Sequence, residues 1–481
     1  MHVLITGADS KLARAWIGSL DTGFSVRAVD SVFTANITGV EQMAGDLRDS
    51  SFVEQAVAGV DALLHLAPLY TVGDTPADSI DQVSRGTYQL ANAAADAGVK
   101  RMVVGSTLEL FASAWDRYLV DESWRPRPQP ELDQLCAHLG EVSLREVARA
   151  TALPALCLRF GVVVDDKEAA AQPFDPRWLH LDDAVSALHR SLEVEIDGWQ
   201  IYHIAAKGDR TSAPVVRAAE PPFGYHPQHD FQDRWASAQP QPAWQAPTPI
   251  APRPIRKVVV FGAGGPLASA VATELMPDYQ LRLTDLRAVE ELASGEPQSP
   301  GAPLPSAPQA PHEWRTVDVR DAEQVSAACA GMDAIINCSV VRNDPADAFR
   351  VNAVGAYNVM RAAVAHRIKR VVHTGPYMLG QRGPAGYQWD DFVVDDVPPR
   401  PGIGWVYFAS KLAGQEICRI FADHHGLDVP CLTFAQFANP EVPPQRLASL
   451  AVSWADSARA IRSALEVSNL PNRFEYFHIG S

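Results

Sequence analysis

The sequence predicts an α/β fold with two tandem domains, each built on a doubly wound parallel sheet with a short substrate lobe. Three observations support this prediction. The same pattern occurs twice in the chain, short Val/Ile/Leu runs alternate with Ala-rich amphipathic stretches, and a glycine-containing turn follows the first run of each copy. At 481 residues, the chain is too long for one ordinary domain.

The two copies resemble each other along most of their length. We therefore predict an N-terminal copy over residues 1–206, a linker over 207–254 and a C-terminal copy over 255–481. The most similar segments are 2–20 with 257–275, 60–68 with 332–340, 86–104 with 355–373, and 137–160 with 411–434.

The strands are expected to lie inside parallel sheets. Runs such as "ALLHLA" and "RMVV" are apolar on both faces, which is typical of buried parallel strands. In the C-terminal copy, "VVVF" is followed by the amphipathic stretch 266–276 and then by "LRLTD". This strand–helix–strand order is the repeating unit of a doubly wound sheet.

Two segments are predicted to lack regular structure. The linker is rich in Pro, Ala and Gln, which predicts an extended chain. Its aromatic residues indicate packing along a domain surface; they are Phe223, Tyr225, Phe231, Trp235 and Trp244. Residues 295–311 are rich in proline and contain no aromatic residue, which predicts a disordered surface loop.

Charge and composition exclude several classes of partner. A net charge of -16 repels nucleic acid and anionic membrane surfaces, so a small-molecule partner is expected. No apolar run is long enough to span a bilayer, and no signal-peptide pattern is present, so we expect a cytoplasmic protein. The six cysteines form no C-x-x-C pair; they are predicted to be reduced and buried, and no metal site is predicted.

The turn after the first strand predicts a dinucleotide site. In the C-terminal copy this turn carries Gly262, Gly264, Gly265 and Leu267, whereas the N-terminal copy keeps only Gly7. Glycines here allow a tight turn and let backbone N–H groups approach a pyrophosphate at a helix N-terminus. Both copies are therefore predicted to be Rossmann-like, with the N-terminal site the more degenerate.

An aspartate ends the second predicted strand of each copy. Asp30 and Asp285 follow Gly7 and Gly262, respectively, by the same spacing. A carboxylate there accepts hydrogen bonds from the adenosine ribose and repels a 2′-phosphate, so NAD is predicted as the cofactor. NADP is the alternative because Arg287 lies nearby, and purely structural turns are the alternative to any site.

The segment "WVYFASKLAGQE" holds Tyr407 and Lys411 four residues apart, on one face of a predicted helix. Such a pair suits acid/base chemistry. It also occurs by chance in ordinary helices with a half-exposed tyrosine, so its context has to decide between the two.

Together these segments resemble the extended short-chain dehydrogenase/reductase family, the NAD-dependent epimerase/dehydratase group. "GDLRD" and "VDVRD" resemble the family segment whose aspartate, here Asp46 and Asp318, reaches the adenine. "VNAVGAYNV" resembles a family helix with Asn352 in place, and Val83 takes that position in the N-terminal copy. The resemblance implies hydride transfer with NAD or NADP.

The resemblance also implies a catalytic Ser/Thr–Tyr–Lys set. In this family the tyrosine is the general acid or base, the lysine lowers its pKa and holds the nicotinamide ribose, and the hydroxyl orients the substrate oxygen. Tyr407 and Lys411 match this set. Pro376 takes the serine position, and Thr374, two residues earlier, is predicted to serve instead.

The N-terminal copy departs from this pattern. Asp133 stands at the tyrosine position and Ala137 at the lysine position, so this copy cannot use the family mechanism. Thr107 occupies the hydroxyl position, and we expect it to bond to backbone at a strand end. This copy is therefore predicted to be a structural partner with a vestigial or regulatory nucleotide site.

A pairing of the two copies is also predicted. Family members often dimerise through long helices, and Leu135, Leu139 and Val142 recur at i, i+4 and i+7 on such a helix. Packing on its own sheet accounts for this face. We further expect helices 134–150 and 407–423 to meet in an intramolecular pseudo-dimer, with further self-association open.

Two functions remain open at this point. The first is an NAD(P)-dependent oxidoreductase or epimerase/dehydratase-type enzyme with its chemistry in the C-terminal copy. Because the segment after the last clear strand of each copy is short, a sugar, sugar acid or similar polyol is expected as the substrate. The alternative is a non-catalytic NAD(P)-binding pseudoenzyme with a structural or regulatory role, which Pro376 and the short lobe favour.

Overall fold

The structure is a computed structural model of the chain. The chain divides into two compact units, Met1–Gln245 and Ala246–Ser481. The residues that the structure describes are 1–70, 73–114, 118–206, 217–231, 233–234, 245, 247–377, 405–439 and 451–480.

The N-terminal unit alternates strands and helices. In chain order its elements are β1 (His2–Thr6), α1 (Lys11–Gly18), β2 (Ser25–Asp30), β3 (Glu41–Ala44), α2 (Ser50–Val57), β4 (Ala62–His65), α3 (Pro76–Asp96), β5 (Arg101–Thr107), α4 (Leu132–Ala150), β6 (Ala155–Phe160), β7 (Val162–Val164), α5 (Asp166–Ala171), β8 (Trp178–His180), α6 (Leu181–Glu193) and β9 (Trp199–Ile204).

The C-terminal unit repeats this order. Its elements are β10 (Lys257–Phe261), α7 (Pro266–Leu275), β11 (Gln280–Asp285), α8 (Val289–Ala293), β12 (Glu313–Thr316), α9 (Ala322–Cys329), β13 (Ala334–Asn337), α10 (Pro345–Phe349), α11 (Gly355–Ala365), β14 (Arg370–Pro376), α12 (Trp405–His425), β15 (Val429–Phe434), β16 (Gln436–Ala438), β17 (Ala451–Ser453), α13 (Trp454–Glu466) and β18 (Phe474–Ile479).

Each unit contains a doubly wound parallel sheet, which confirms the predicted fold class. Within the described residues, the N-terminal sheet has seven strands in the order β3-β2-β1-β4-β5-β6-β9, and the C-terminal sheet has β12-β11-β10-β13-β14-β15-β18. The strand order reverses between β1 and β4 and between β10 and β13. In open parallel sheets, ligands bind at the carboxyl ends of the strands beside such a reversal.

The central strands are buried on both faces, as their apolar sequences predict. Every residue of β4, β6, β13, β14 and β15 is buried. Two short parallel pairs lie outside the main sheets: β7 with β8, and β16 with β17. These pairs lie in the segments after β6 and β15 that the sequence predicts to be short substrate lobes. No helix in the described parts of the chain has the length and apolarity to cross a membrane.

Part of the predicted linker belongs to the core of the N-terminal unit. Phe223 and Tyr225 are buried, and the Phe223 ring stacks on that of Tyr202 with centroids 4.4 Å apart. The Arg190 side chain donates a hydrogen bond to the Phe223 carbonyl. Phe223 and Tyr225 thus show the packing on a domain surface that the aromatic residues of this segment predict. Trp235 and Trp244 lie outside the described residues.

The proline-rich segment 295–311 contains neither a helix nor a strand. Most of its residues are exposed, whereas Ala302 is buried. Gln298 and Ser299 reach the cavity described below. The segment is thus a surface loop that borders the candidate site, and its predicted disorder stays a prediction.

The substitution Phe223→Ala tests whether the linker segment is part of the folded unit. We expect it to lower the free energy of unfolding by about 3–5 kcal/mol, because a fully buried ring is removed. Val32→Ala, at a side chain that is 69% exposed, is the control and should change it by less than about 0.5 kcal/mol. Urea denaturation followed by circular dichroism measures both. Equal effects would show that Phe223 packs only loosely.

Candidate functional site

A cavity of about 650 Å³ lies at the carboxyl edge of the C-terminal sheet, beside the β10/β13 reversal. Its walls come from the turn between β10 and α7, the ends of β11, β13 and β14, the start of α12 and the β16–β17 pair. These elements bring together Tyr407, Lys411 and Thr374 at one end. The predicted cofactor residues Asp285 and Asp318 also line the cavity, with the glycine turn.

The glycine turn is shaped by two close approaches. Gly262 has a φ of +76°, and a Cβ atom there would lie 2.8 Å from the Ser339 backbone nitrogen. A Cβ on Gly264 would lie 2.8 Å from an Asp285 carboxylate oxygen. Any other residue at either position would have to displace a neighbouring atom, because both distances are shorter than a Cβ atom tolerates. The turn therefore keeps its backbone exposed to the cavity, as a dinucleotide site requires.

Helix α7 begins without a side-chain cap. Its N-cap is Gly265 and its first residue is Pro266, and no side chain in the described residues accepts a hydrogen bond from its first turn. The N–H groups that begin at Leu267 therefore face the cavity mouth. A helix N-terminus with unsatisfied N–H groups carries a partial positive charge and favours an anion such as a diphosphate.

The two predicted acids are held in place by neighbouring groups. One Asp285 carboxylate oxygen accepts a hydrogen bond from the Gly264 N–H at 2.9 Å. Asp318 accepts two hydrogen bonds from the Arg320 Nε, at 3.0 and 2.9 Å. Burial acts to raise the pKa of Asp318, but the Arg320 hydrogen bonds outweigh it and hold that pKa below its usual value. Asp318 is thus an ionised acceptor at neutral pH.

Lys411 is buried and bonded to two strand ends. Its Nζ donates to the Ser339 carbonyl at 2.8 Å and to the Thr374 carbonyl at 3.1 Å, and the residue is 1% exposed. Burial lowers the pKa of Lys411 to about 8. An ammonium group has three N–H donors, so one remains for a ligand in the cavity.

Tyr407 lies one helical turn before Lys411 and also lines the cavity. Burial raises the pKa of the Tyr407 phenol, whereas the Arg342 guanidinium acts in the opposite direction. The Arg342 Cζ lies 5.4 Å from the centre of the Tyr407 ring. Sequence patterns do not reveal Arg342, because no local pattern marks an arginine that reaches a tyrosine from another element.

The predicted third member of the catalytic set has a structural contact. The Thr374 hydroxyl donates to the Asn337 carbonyl at 3.0 Å, while the Thr374 carbonyl accepts from Lys411. Pro376 is buried at the end of β14. Thr374 therefore positions Lys411 through its backbone, and a catalytic role for its hydroxyl stays a prediction.

Two further residues shape the loop after β13. Asn352 donates to the Val341 carbonyl at 2.7 Å and to the Ser410 hydroxyl at 2.9 Å, so it ties this loop to α12. Its position in a short π-helical turn, Arg350–Val354, directs the side chain inward. Ser339 lines the cavity, and its buried hydroxyl has no hydrogen-bond partner in the described residues.

The far end of the cavity is aromatic. Phe437 and Trp454 stack face to face, with ring centres 4.2 Å apart and planes 7° apart, and Phe434 lies 5.2 Å from Phe437. All three line the cavity together with Gln436. A flat apolar wall beside a few polar groups is typical of a small-molecule site.

The corresponding region of the N-terminal copy is nearly filled. The cavity beside Gly7 and Asp30 has a volume of about 30 Å³. Burial raises the pKa of the Tyr70 phenol, and the Ser10 side chain and Leu12 backbone at the start of α1 act in the opposite direction. The Ser10 hydroxyl accepts a hydrogen bond from the Ala13 N–H and so caps α1. Protein groups thus satisfy the helix N-terminus that α7 leaves open. Cofactor binding by Gly7 and Asp30 stays a prediction.

Other predicted residues of the N-terminal copy make structural contacts. Asp46 pairs with Arg48 at 2.7 Å, which parallels the Asp318 pair in the C-terminal copy, and its role in adenine binding stays a prediction. Thr107 ends β5, and its hydroxyl accepts from the Glu109 backbone N–H, a backbone bond of the kind expected at this strand end. Asp133 lies in the first turn of α4, and Ala137 is buried.

All six cysteines are buried and form no disulfide. One group of potential metal ligands occurs in the described residues, in the N-terminal unit: His180, Asp182 and His229. The two histidine rings stack with centres 3.7 Å apart, so their faces pack against each other. That the protein binds no metal stays a prediction.

Comparisons with known proteins identify related families in both copies. Residues 258–480 match the family model of the NAD dependent epimerase/dehydratase family. Residues 12–130 match that of the 3-beta hydroxysteroid dehydrogenase/isomerase family. The family that matches the C-terminal copy is NAD-dependent, which confirms the predicted cofactor class and the predicted family resemblance.

Individual relatives cover part of the chain. Dihydroflavonol 4-reductase of Zea mays is 26% identical over 210 residues, which are 40% of this chain and 57% of the reductase. Uronate dehydrogenase of Pseudomonas putida is 26% identical over 195 residues, which are 39% of this chain and 64% of that enzyme. The chain thus spans less than two thirds of the length of each of these relatives.

Among solved structures, uronate dehydrogenase from Agrobacterium tumefaciens is similar with a TM-score of 0.42 and 20% identity. The match covers 50% of this chain and 90% of that enzyme.

A side chain at Gly262 would have two effects that can be measured separately: a clash with the loop after β13, and the strain of a left-handed φ. Gly262→Ala should lower the free energy of unfolding by roughly 2–5 kcal/mol, because it adds a clash to a left-handed φ. Gly331→Ala is the matched control, since Gly331 has a φ of +75° and a Cβ atom added there would have no neighbouring atom within 4 Å. Gly331→Ala should lower the free energy of unfolding only by the strain of the left-handed φ, roughly 1–2 kcal/mol. Urea denaturation compares the two, and equal losses would mean that the loop after β13 does not press on Gly262.

Proposed function

We propose that the C-terminal copy, which matches the model of the NAD dependent epimerase/dehydratase family over residues 258–480, is an NAD-dependent oxidoreductase for a sugar, sugar acid or similar polyol. One observation carries the proposal: the buried Lys411 ammonium lies one helical turn from Tyr407 in a cavity that begins at the uncapped helix α7. Bound NAD accepts a hydride, and the residues of this chain supply the proton chemistry and the positioning.

The residues that would hold NAD are placed along the cavity in order. The backbone of Gly264, Gly265 and Leu267 faces the diphosphate position at the start of α7. Asp285 would accept hydrogen bonds from the adenosine ribose, and Asp318 would contact the adenine, as the family resemblance implies. The Asp285 charge disfavours a 2′-phosphate, and Arg287, the feature that left NADP open, pairs with Glu291 at 3.4 Å.

Tyr407 is proposed as the general base in substrate oxidation. The C–H electron pair of the substrate leaves as the hydride, and the hydroxyl proton of the same carbon passes to the Tyr407 oxygen. Arg342 acts to lower the pKa of Tyr407 and so favours this phenolate, and Lys411, one helical turn away, is proposed to do the same. In the reverse direction the Tyr407 phenol returns the proton to the carbonyl oxygen.

Lys411 has two tasks in this proposal. Its charge would favour the ionised form of Tyr407, and its remaining N–H donor would bind the nicotinamide ribose. The Ser339 and Thr374 carbonyls hold the ammonium in position, so the arrangement exists before any ligand binds. Preorganised charge of this kind lowers the barrier without reorganisation at the moment of reaction.

The N-terminal copy is proposed to bind no dinucleotide and to act as a structural partner. Its cavity of about 30 Å³ and the Tyr70 hydroxyl at the start of α1 support this. We also propose that the copies pair through helices 132–150 and 405–425. Cross-linking with mass spectrometry tests the pairing: links between the two helices would support it, and links confined to each copy would contradict it.

Isothermal titration should yield one NAD⁺ per chain. Asp285→Ala should weaken binding roughly 10- to 100-fold, because hydrogen bonds from the ribose to a carboxylate are lost. Asp30→Ala, the equivalent change in the N-terminal copy, is the control and should leave stoichiometry and affinity unchanged. Two NAD⁺ per chain, or equal effects of the two variants, would contradict the assignment of the cofactor to the C-terminal copy.

Tyr407→Phe should reduce kcat roughly 10²- to 10⁴-fold with little change in NAD⁺ affinity, because it removes only the proton acceptor. Lys411→Met should reduce kcat and also weaken NAD⁺ binding, since it removes the donor to the ribose. Asp133→Asn, at the Tyr407 position of the N-terminal copy, is the control. Absorbance of the reduced nicotinamide, with a panel of aldoses and hexuronates, measures turnover.

If wild type binds NAD⁺ but reduces none of it with any member of the panel, the non-catalytic alternative is favoured. If Tyr407→Phe and wild type give identical non-zero rates, the chemistry lies elsewhere. Either result would overturn the role assigned to Tyr407, and the first would leave the cofactor assignment intact.

A further inference from the structure

We infer that Arg342 binds an anionic group of the substrate, a carboxylate or a phosphate, so that the enzyme selects anionic sugars over their neutral counterparts. The inference rests on the proposed function and narrows its substrate class. It is carried by the distribution of charge along the cavity and by the position of Arg342 beside Tyr407.

The cations that line the cavity differ in their partners. Arg320 pairs with Asp318 and Asp347 at 2.8 and 2.9 Å, respectively. Arg287 pairs with a glutamate on α8. Arg342, by contrast, has no carboxylate partner in the described residues. A guanidinium is the side chain best suited to a planar carboxylate or a phosphate, so an unpaired one in a ligand cavity favours an anion.

The acids of the cavity are confined to its cofactor end. Asp285, Asp318 and Asp347 are the carboxylates that line it in the described part of the chain. The end that holds Tyr407 carries two cations, Arg342 and Lys411, and none of these three carboxylates. A neutral polyol would leave this positive end uncompensated, whereas an anionic sugar would neutralise it.

The position of Arg342 places its charge within reach of a substrate at Tyr407. Its guanidinium carbon lies 5.4 Å from the Tyr407 ring centre, and the residue is exposed at the cavity mouth. The oxygen of a sugar that reacts at Tyr407 would therefore lie about one sugar ring from the guanidinium. The stacked rings of Phe437 and Trp454 give the same cavity an apolar wall.

The N-terminal copy has no arginine at the position that matches Arg342. Continuing the match of 60–68 with 332–340, Tyr70 takes the position of Arg342. Tyr70 lies beside Ser10 and Leu12 at the start of α1, and the cavity of that copy has a volume of only about 30 Å³. The copy with an open cavity therefore has a cation at this position, and the copy with a filled cavity does not.

The test measures binding of D-glucuronate, D-glucose 6-phosphate and D-glucose to the protein–NAD⁺ complex by isothermal titration. These probes share one ring and differ in charge at carbon 6. We expect at least one anionic probe to bind roughly 10-fold or more tightly than glucose. Arg342→Gln should abolish the preference, and Arg342→Lys should restore part of it.

Arg361→Gln is the matched control. Arg361 also lies over a tyrosine ring, 5.7 Å from the centre of Tyr357, but it does not line the cavity. It should keep the full anion preference. Glucose that binds as tightly as both anions, or a preference that persists in Arg342→Gln, would overturn the inference.

Two other outcomes separate this inference from the proposed function. If Arg342→Gln weakens NAD⁺ binding and leaves the anion preference unchanged, Arg342 serves the cofactor diphosphate and the inference is wrong. If the wild-type chain binds no NAD⁺, the proposed function fails first, and the inference fails with it. Normal NAD⁺ binding without anion preference overturns the inference alone.

Discussion

The buried ammonium of Lys411 is the interaction on which the C-terminal site depends. It joins helix α12 to the carboxyl ends of β13 and β14 through the carbonyls of Ser339 and Thr374. A cation is costly to bury unless fixed dipoles replace its hydration, and these carbonyls provide that replacement. Burial nevertheless lowers the pKa of Lys411 to about 8. Small changes around the ammonium can therefore change its protonation near neutral pH. The bond to the Ser339 carbonyl also fixes the loop after β13, which lines the cavity.

The N-terminal copy has the same fold without this ammonium. Ala137 takes the lysine position in the N-terminal copy, and the loop after β4 there forms a short 3-10 turn, Ala67–Leu69, that packs toward α4. Tyr70 lies beside the start of α1, where the Ser10 hydroxyl accepts from the Ala13 N–H, whereas α7 has no such cap. An unpaired helix terminus is stable at a surface only with water or a ligand, so the open copy is suited to a ligand and the filled copy is suited to a structural role.

Much of the fold could be predicted from the sequence, because the duplication, the apolar runs and the glycine turn are local patterns with direct physical causes. The placement of Tyr407, Lys411 and Asp285 around one cavity follows from the same topology. The contacts that define the site could not be predicted. Two features depend on loops that follow strands, where no periodicity constrains the chain. One is the choice of carbonyls that bind Lys411, and the other is the lack of a carboxylate partner for Arg342 in the described parts of the chain. The aromatic residues of the linker indicated packing on a domain surface, but no pattern in the sequence could specify that Phe223 stacks on Tyr202.

A crystal structure of the chain with NAD⁺ tests the central claim most directly. We expect one dinucleotide per chain, with its diphosphate at the start of α7 and a nicotinamide ribose hydroxyl within hydrogen-bond distance of the Lys411 Nζ. A dinucleotide bound at Gly7, or one in the C-terminal cavity whose ribose lies out of reach of Lys411, would contradict that claim.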